Sequence, residues 1–269
     1  MSAWDYYDQA EDQLKAFTRS AVRTKIMLRL KEGGMTAGVL EKEMNIRAST
    51  ILHAMKEMSE AGLVSKRDIS YSLTNIGTIQ TILLDELVAA IVLLEQHEDY
   101  WLSHDLSGIP EELLAKIGML ARSQRMTSDP TAPLKSLERF MSEVAIARDI
   151  RGVSSFIAPG FPELIRDCVK GGAKVELVLT DAVFEEISNK NKQLLEDIQN
   201  LDNFHLYHLD KEVNIGFTVT ESILALGLWR LDGSIDIGGG ELVCIGEEAT
   251  KWGRALFEHY RSLSQSVRK

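Results

Sequence analysis

The sequence predicts an α+β/α/β chain of two domains: an N-terminal winged helix-turn-helix, then a long helix, then a C-terminal α/β domain. Three observations carry that prediction. Residues 47–62, RASTILHAMKEMSEAG, read as a two-faced helix that follows a second short helix and precedes a charged hairpin. Residues 76–101 place apolar side chains mostly three or four apart. From residue 151 onward, short apolar runs alternate with helical periodicity, the order that builds a parallel sheet. The boundaries fall at 1–75, 76–103 and 104–269, and a chain of 269 residues is long enough for two cores.

Residues 3–14 hold Trp4, Tyr6, Tyr7 and Leu14 and read as a helix lying on another surface, which suits a dimer contact. Residues 16–31, with Phe17, Val22, Ile26, Met27 and Leu30, make the first helix of the winged domain, and Gly33-Gly34 end it by adopting positive φ cheaply. Over 36–45, Thr36 caps a helix containing Val39, Leu40 and Met44, and Asn45 stops it. The next helix carries Ile51, Leu52, Met55, Met58 and Leu63 on an apolar stripe, leaving Arg47, Ser49, Thr50, His53 and Lys56 elsewhere. Residues 63–74 alternate as two short strands, with Lys66 and Arg67 at the turn. Helix, turn, helix and basic hairpin in this order form the winged helix-turn-helix pattern.

Residues 75–103 then read as one helix with a stripe of Ile76, Ile79, Leu83, Leu87, Ala90, Leu94 and Trp101. So long an apolar helix must bury two sides, against its own domains, a second subunit, or both. Pro110 starts a helix through Ile117 and Leu120, residues 123–133 form a polar loop, and 134–148 are an amphipathic helix. Strands over 153–158, 174–179 and 204–209 are separated by helices over 161–170, 181–187 and 192–199. Strands over 214–220, 222–230 and 234–237 follow, the last two joined by the Leu231-Asp232-Gly233 turn, and a helix covers 247–265.

The net charge of −10 is unevenly spread: residues 11–75 hold eleven basic and eight acidic groups, residues 76–269 nineteen and thirty. A basic module on an acidic body suits contact with DNA at one end only. Charges interrupt the apolar runs before the roughly 20 residues that a membrane span needs, and the start, MSAWDYYDQAEDQ, has no signal core. A cytoplasmic protein without a membrane contact is therefore expected. Cys168 and Cys244 lie far apart without CxxC spacing, so they read as small buried hydrophobes, with no metal or cofactor signature.

Within the winged pattern, Ser49, Thr50, His53 and Lys56 are placed to meet base edges or phosphates in a major groove, and Arg47 phosphate or guanine. Lys66 and Arg67 would grip phosphates or enter the minor groove. The expected partner is double-stranded DNA bound by a homodimer. The alternative is a protein-interaction module whose α/β domain is a scaffold.

The chain also resembles the archaeal winged-helix transcriptional regulators that carry the middle domain of the Fil-type methanogenesis regulatory proteins. Residues 101–106 (WLSHDL), 109–114 (IPEELL) and 171–180 (GGAKVELVLT) carry the resemblance, with Leu226-Gly227-Leu228 before Asp232-Gly233 and Ala249-Thr250-Lys251-Trp252-Gly253 before Phe257-Glu258-His259-Tyr260. The resemblance implies a cytoplasmic DNA-binding regulator with an effector domain.

Catalytic signatures are missing. Gly238-Gly239-Gly240 lacks the spacing of a dinucleotide loop, and neither a phosphate loop nor a nucleophile elbow occurs. The strand order is similar to half of a phospholipase-D-like domain, yet none of the six histidines has a lysine two residues on. His205 and His208 point to opposite faces of one strand, which makes them poor joint metal ligands. A non-enzymatic, sensor-like body remains, binding a small-molecule effector or a partner. In open α/β sheets ligands gather beyond the carboxyl ends of the strands, which singles out Gly160, Thr180 and Asp181.

Overall fold

The computed structural model describes residues 2–18, 20–126, 135–190, 192–235 and 240–267, which divide into two compact units, Met1–Val88 and Ala89–Lys269.

In the first unit a 3-10 turn at Ala3–Tyr6 leads into α1 (Tyr7–Thr18), and Trp4, Tyr6, Tyr7 and Leu14 are all exposed. The Ser20 side chain accepts from the Arg23 N–H and opens α2 (Ala21–Leu30), so the helix expected over 16–31 is split by this cap. The side chain of Phe17 lies outside the described residues. Then follow β1 (Met35–Thr36), α3 (Ala37–Met44), α4 (Ala48–Glu60), β2 (Val64–Arg67) and β3 (Ser70–Leu73). Thr36 caps α3 and Asn45 ends it in the left-handed region, φ 52°. β3 is the middle strand of an antiparallel sheet, order β1-β3-β2, and Lys66 sits opposite Tyr71. Ile26, Met27, Leu30, Leu40, Ile51, Met55, Met58, Val64 and Tyr71 form the core, each large apolar side chain contributing roughly 1.5–3 kcal/mol by leaving water. Leu52, expected on this stripe, is exposed, because it lies about 100° around the helix from Ile51.

The helix expected over 75–103 is two helices, α5 (Asn75–Gln96) and α6 (Glu98–Ser103), broken where His97 takes φ −128° and ψ 36°. The division between the units falls inside α5. Contrary to the sequence expectation, α5 is long and apolar enough to cross a membrane by length and composition alone, even though Asp85 and Glu86 interrupt its apolar run. Asp85 pairs with Lys31. Ile76, Ile79, Leu83, Leu87 and Leu94 are exposed, whereas Thr81 and Leu93 are buried.

In the second unit Pro110 opens a single turn, α7 (Glu111–Leu114), and a separate 3-10 turn at Ile117–Leu120 replaces the continuous helix expected there. Ser123–Arg125, expected in a loop, is strand β4, and 127–134 lie outside the described residues. The chain continues as α8 (Lys135–Ala145), β5 (Asp149–Ser154), α9 (Phe161–Lys170), β6 (Lys174–Thr180), α10 (Asp181–Lys190), α11 (Lys192–Ile198) and β7 (Phe204–Leu209). It ends with β8 (Ile215–Val219), β9 (Ile223–Leu228), β10 (Leu242–Ile245), α12 (Glu247–Leu263) and β11 (Gln265–Ser266). β5 starts four residues before the expected 153–158, and the helix expected over 247–265 stops at Leu263. No strand forms at Ser234 or Ile235; residues 236–239, including Gly238 and Gly239, lie outside the described residues, and β10 was not anticipated.

The eight strands run β11-β7-β6-β5-β8-β9-β10-β4, with β5, β6 and β7 parallel and all other pairs antiparallel. One sheet face packs on α12 through Val153, Val178, Phe217, Leu226, Trp252 and Phe257. Its other face carries Ile150, Val175, Leu177, Leu179, Leu206 and Ala225, packed in one cluster with residues of α8, α9, α10 and α11. Arg254 Nη1 binds Asp149 Oδ2 at 2.7 Å and Arg151 Nη1 binds Glu258 Oε1 at 3.3 Å, tying α12 to β5. Cys168 and Cys244 are free and buried, and burial pushes the Cys244 thiol up to about 12, far from a reactive thiolate.

Candidate functional site

α4 turns Ile51, Ala54, Met55 and Met58 inward and leaves Ser49, Thr50, His53 and Lys56 exposed, with Arg47 exposed at its N-cap. The Leu63 N–H donates to the Met58 carbonyl at 2.9 Å, so the hairpin leaves the end of α4 at a fixed point. Lys66 and Arg67 are exposed on β2, and the Lys66 ammonium lies 5.4 Å from the centre of the Tyr71 ring. Asp68, at φ 53°, makes the turn, and Ile69 stands 75% exposed at its tip.

Carboxylates that the sequence reading passed over share this surface. Glu41 Oε1 accepts the Ala48 N–H at 3.0 Å and so occupies the start of α4, where Arg47 makes no side-chain cap. His53 Nε2 lies 3.6 Å from Glu57 Oε1, and Lys56 Nζ 3.9 Å from Glu60 Oε1. Exposed pairs of this kind contribute little, so the Lys56 ammonium and the His53 ring both stay available to another partner. Glu57 also binds Arg23. The i,i+4 spacing of both pairs was visible in the sequence.

In the α/β unit, Gly160 sits at φ 78° as the N-cap of α9. Thr180 ends β6 with its side chain wholly buried and its Oγ1 without a hydrogen-bond partner among the described residues. Asp181 binds the His208 ring nitrogen Nε2, and the His208 ring lies 5.0 Å from that of Phe184. All three lie at or just beyond the carboxyl ends of the parallel strands. None lines the cavity of about 50 Å³ beside them, which is walled by Ile157, Phe161, Leu177, Leu179, Val183 and Leu195. His205 faces the α12 side, away from His208, opposite Glu176 in the ladder. Among the described residues no three His, Cys, Asp or Glu side chains cluster to hold a metal ion.

A second recess lies on the same sheet face, over β8 and β9, and the sequence reading did not foresee it. Gly216 stands directly opposite Gly227 in the ladder, and a Cβ on Gly216 would come within 2.9 Å of the Phe156 ring. At Gly227 an added Cβ would meet Glu241 Cγ at 3.3 Å, so the two glycines let Phe156 and Glu241 lie down on the strands. The recess holds about 40 Å³, lined by Phe140, Phe156, Phe161, Thr218 and Glu241 among others. Burial pushes the Glu241 carboxyl up to about 6, and its Oε2 is buried with no hydrogen-bond partner among the described residues.

Comparison with known proteins bears on both units. A family model of the N-terminal domain of the methanogenesis regulatory protein FilR1 matches residues 11–92, and one of that protein's middle domain matches 133–263. The chain belongs to the FilR1 family. It is 32% identical over 259 residues to the methanogenesis regulatory protein FilR1 of Methanothrix harundinacea (strain 6Ac), covering 95% of this chain. It spans only 58% of that FilR1 protein's length. Among solved structures it is similar to TrmBL2, an archaeal chromatin protein with a novel mode of DNA binding, at a TM-score of 0.43 and 15% identity over 87% of this chain and 89% of that one. A phospholipase D family member, Nuc from Salmonella typhimurium, gives a TM-score of 0.39 and 16% identity over 55% of this chain and 98% of its own.

Proposed function

We propose that this FilR1-family chain is a sequence-specific DNA-binding transcriptional regulator, with residues 1–75 as its winged helix and no catalytic activity of its own. The observation that carries the reading is α4: its apolar side is consumed by the core, while Arg47, Ser49, Thr50, His53 and Lys56 stand exposed beside a hairpin bearing Lys66 and Arg67. α4 would enter the major groove and the hairpin would hold phosphates. The regulatory name of its relative supports the same reading, and a DNA-bound role would suit a cytoplasmic chain. The exposed Ile76, Ile79, Leu83 and Leu87 of α5 support a homodimer, since an apolar surface of this extent marks an interface. Residues 104–269 are then the effector domain for a small molecule or a partner, with Gly160, Thr180 and Asp181 as its first candidate contacts.

Exposed Leu52 on α4 and Ile69 on the hairpin favour a second reading, a protein-interaction module. Selection from a random pool of duplexes separates the two, because only the DNA reading expects an enriched sequence. On that sequence, Arg67→Glu should weaken binding about equally for every variant site and lower the salt slope by roughly 0.9 per lost phosphate contact. Thr50→Ala should instead change the preferred bases. No enrichment, with binding indifferent to salt, would overturn the proposal.

A further inference from the structure

The recess over Gly216 and Gly227 has the marks of a built binding site. Glycine weakens a strand interior, and a facing pair of glycines in adjoining inner strands costs the ladder two packed side chains. What the sheet gains is depth: Phe156 and Glu241 lie against the strands, leaving a space of about 40 Å³. That is room for more than a single water, which needs roughly 10–15 Å³ by this kind of measure. Next to it, and sharing Phe140, runs a groove of about 520 Å³ with an apolar wall of Met126, Ile223, Val243 and Ile245 and with Arg125, Lys135, Arg139 and Glu143 as its charged groups. Its apolar wall suits an uncharged alkyl chain, and its cations do not draw in the ammonium end.

The polar chemistry of the recess is one-sided. Glu241 Oε2 is buried without a donor among the described residues, an expensive state for a carboxylate. The cation two residues beyond Ser123, Arg125, lies instead over the Tyr100 ring at 5.9 Å. Phe140, Phe156 and Phe161 line it together with Leu137, Ala158 and Thr218, and an aromatic ring whose face is presented attracts a cation. A neutral donor would satisfy Oε2 but leave the charge and the rings unused; an anion would be repelled.

We propose that this recess binds a small organic ammonium compound, its nitrogen donating to Glu241 Oε2 among the phenyl rings and its alkyl chain lying along the adjoining groove. The inference deepens the effector-domain part of the proposed function and rests on it. Its test reads ligand binding alone, so a failure of DNA binding leaves it standing.

Titration calorimetry of the full chain with n-butylammonium, n-butanol and butyrate at neutral pH decides. Butylammonium should bind saturably, one per chain, with butanol and butyrate at least about tenfold weaker. Glu241→Gln, which keeps the shape, should weaken butylammonium by about tenfold or more, whereas Glu185→Gln, exposed on α10 and outside both the recess and the groove, should leave it within about threefold. Equal affinity for butanol, an unchanged Glu241→Gln variant, or no saturation with butylammonium up to about 50 mM would each overturn the proposal. Should circular dichroism show the Glu241→Gln variant unfolded, the ranking of the three probes on the unmodified chain decides by itself.

Discussion

The outward face of α4 and the floor of the Gly216–Gly227 recess are built by opposite means. On α4 function is proposed for side chains that are present, spaced by the helical period and left over once Ile51, Met55 and Met58 have been buried. On the sheet the feature is made by side chains that are missing, on β8 and β9, so that Phe156 and Glu241 fill part of the gap. Single substitutions on the first should leave the fold intact, because His53 and Lys56 are exposed and only loosely paired. The second should not, since every added atom meets a neighbour at once. One surface is tuned by charge and the other by volume.

The largest expected effect breaks the first region from beneath. Met55→Ala removes a fully buried side chain under α4 and should cost about 2–5 kcal/mol, enough to unfold much of the unit. Denaturant unfolding would record the loss, and mobility shifts should show DNA binding disappearing with it. Next, Leu83→Glu with Leu87→Glu tests the exposed helix that the DNA reading needs for a two-fold partner. Light scattering should fall to the 30.1 kDa of one chain, and affinity for a paired half-site should drop while half-site contacts persist. A parent chain that already runs as a monomer at micromolar concentration would remove the dimer from the proposal.

Two smaller changes sharpen the second region. Gly216→Ala presses a methyl group against the Phe156 ring and should destabilise the α/β unit by about 1–3 kcal/mol, without altering the DNA sequence preferred by α4. Glu241→Gln should act through pH. Burial raises the folded-state value of Glu241 from 4.5 to about 6, so the folded chain holds this proton more tightly than the unfolded one. The stabilisation from that proton is complete below pH 4.5 and is lost as pH rises through about 6. Glu241→Gln should therefore match the parent near pH 4 and exceed it by up to about 2 kcal/mol at pH 7.5, as thermal melts of both chains would show.

Legibility in the sequence followed the same contrast. Thr36, Asn45 and the buried stripe of α4 signalled the first unit because caps and periodicity are local properties. Two of the three parallel strands were readable for a similar reason, since Lys174–Thr180 and Phe204–Leu209 are short β-prone segments bounded by turns, whereas β5 begins four residues before the apolar run that suggested it. β4 was not, since Ser123, Gln124 and Arg125 have no strand character of their own and are held by register with Leu242, Val243 and Cys244. β11 is a strand only by pairing with β7. The break at His97 has no proline or glycine to announce it. As for the candidate site, the exposed position of Arg47 and Lys56 was readable from the helical period, whereas the neighbouring carboxylates Glu57 and Glu60 were overlooked. Glu241 and the glycine pair were missed because nothing in either strand alone says that Gly216 will face Gly227.

The two ends of the large sheet share one trait: β4 is three residues long and β11 only two. An outermost strand with so few free N–H and C=O groups is a poor template for a passing chain, a common natural defence against aggregation. The six-residue β7 behind it would be a far better one, and Gln265 and Ser266 are what cover His208 and Tyr207. Deleting residues 265–267 should thus leave the fold largely intact yet turn a well-behaved protein into one that grows fibrillar assemblies on standing.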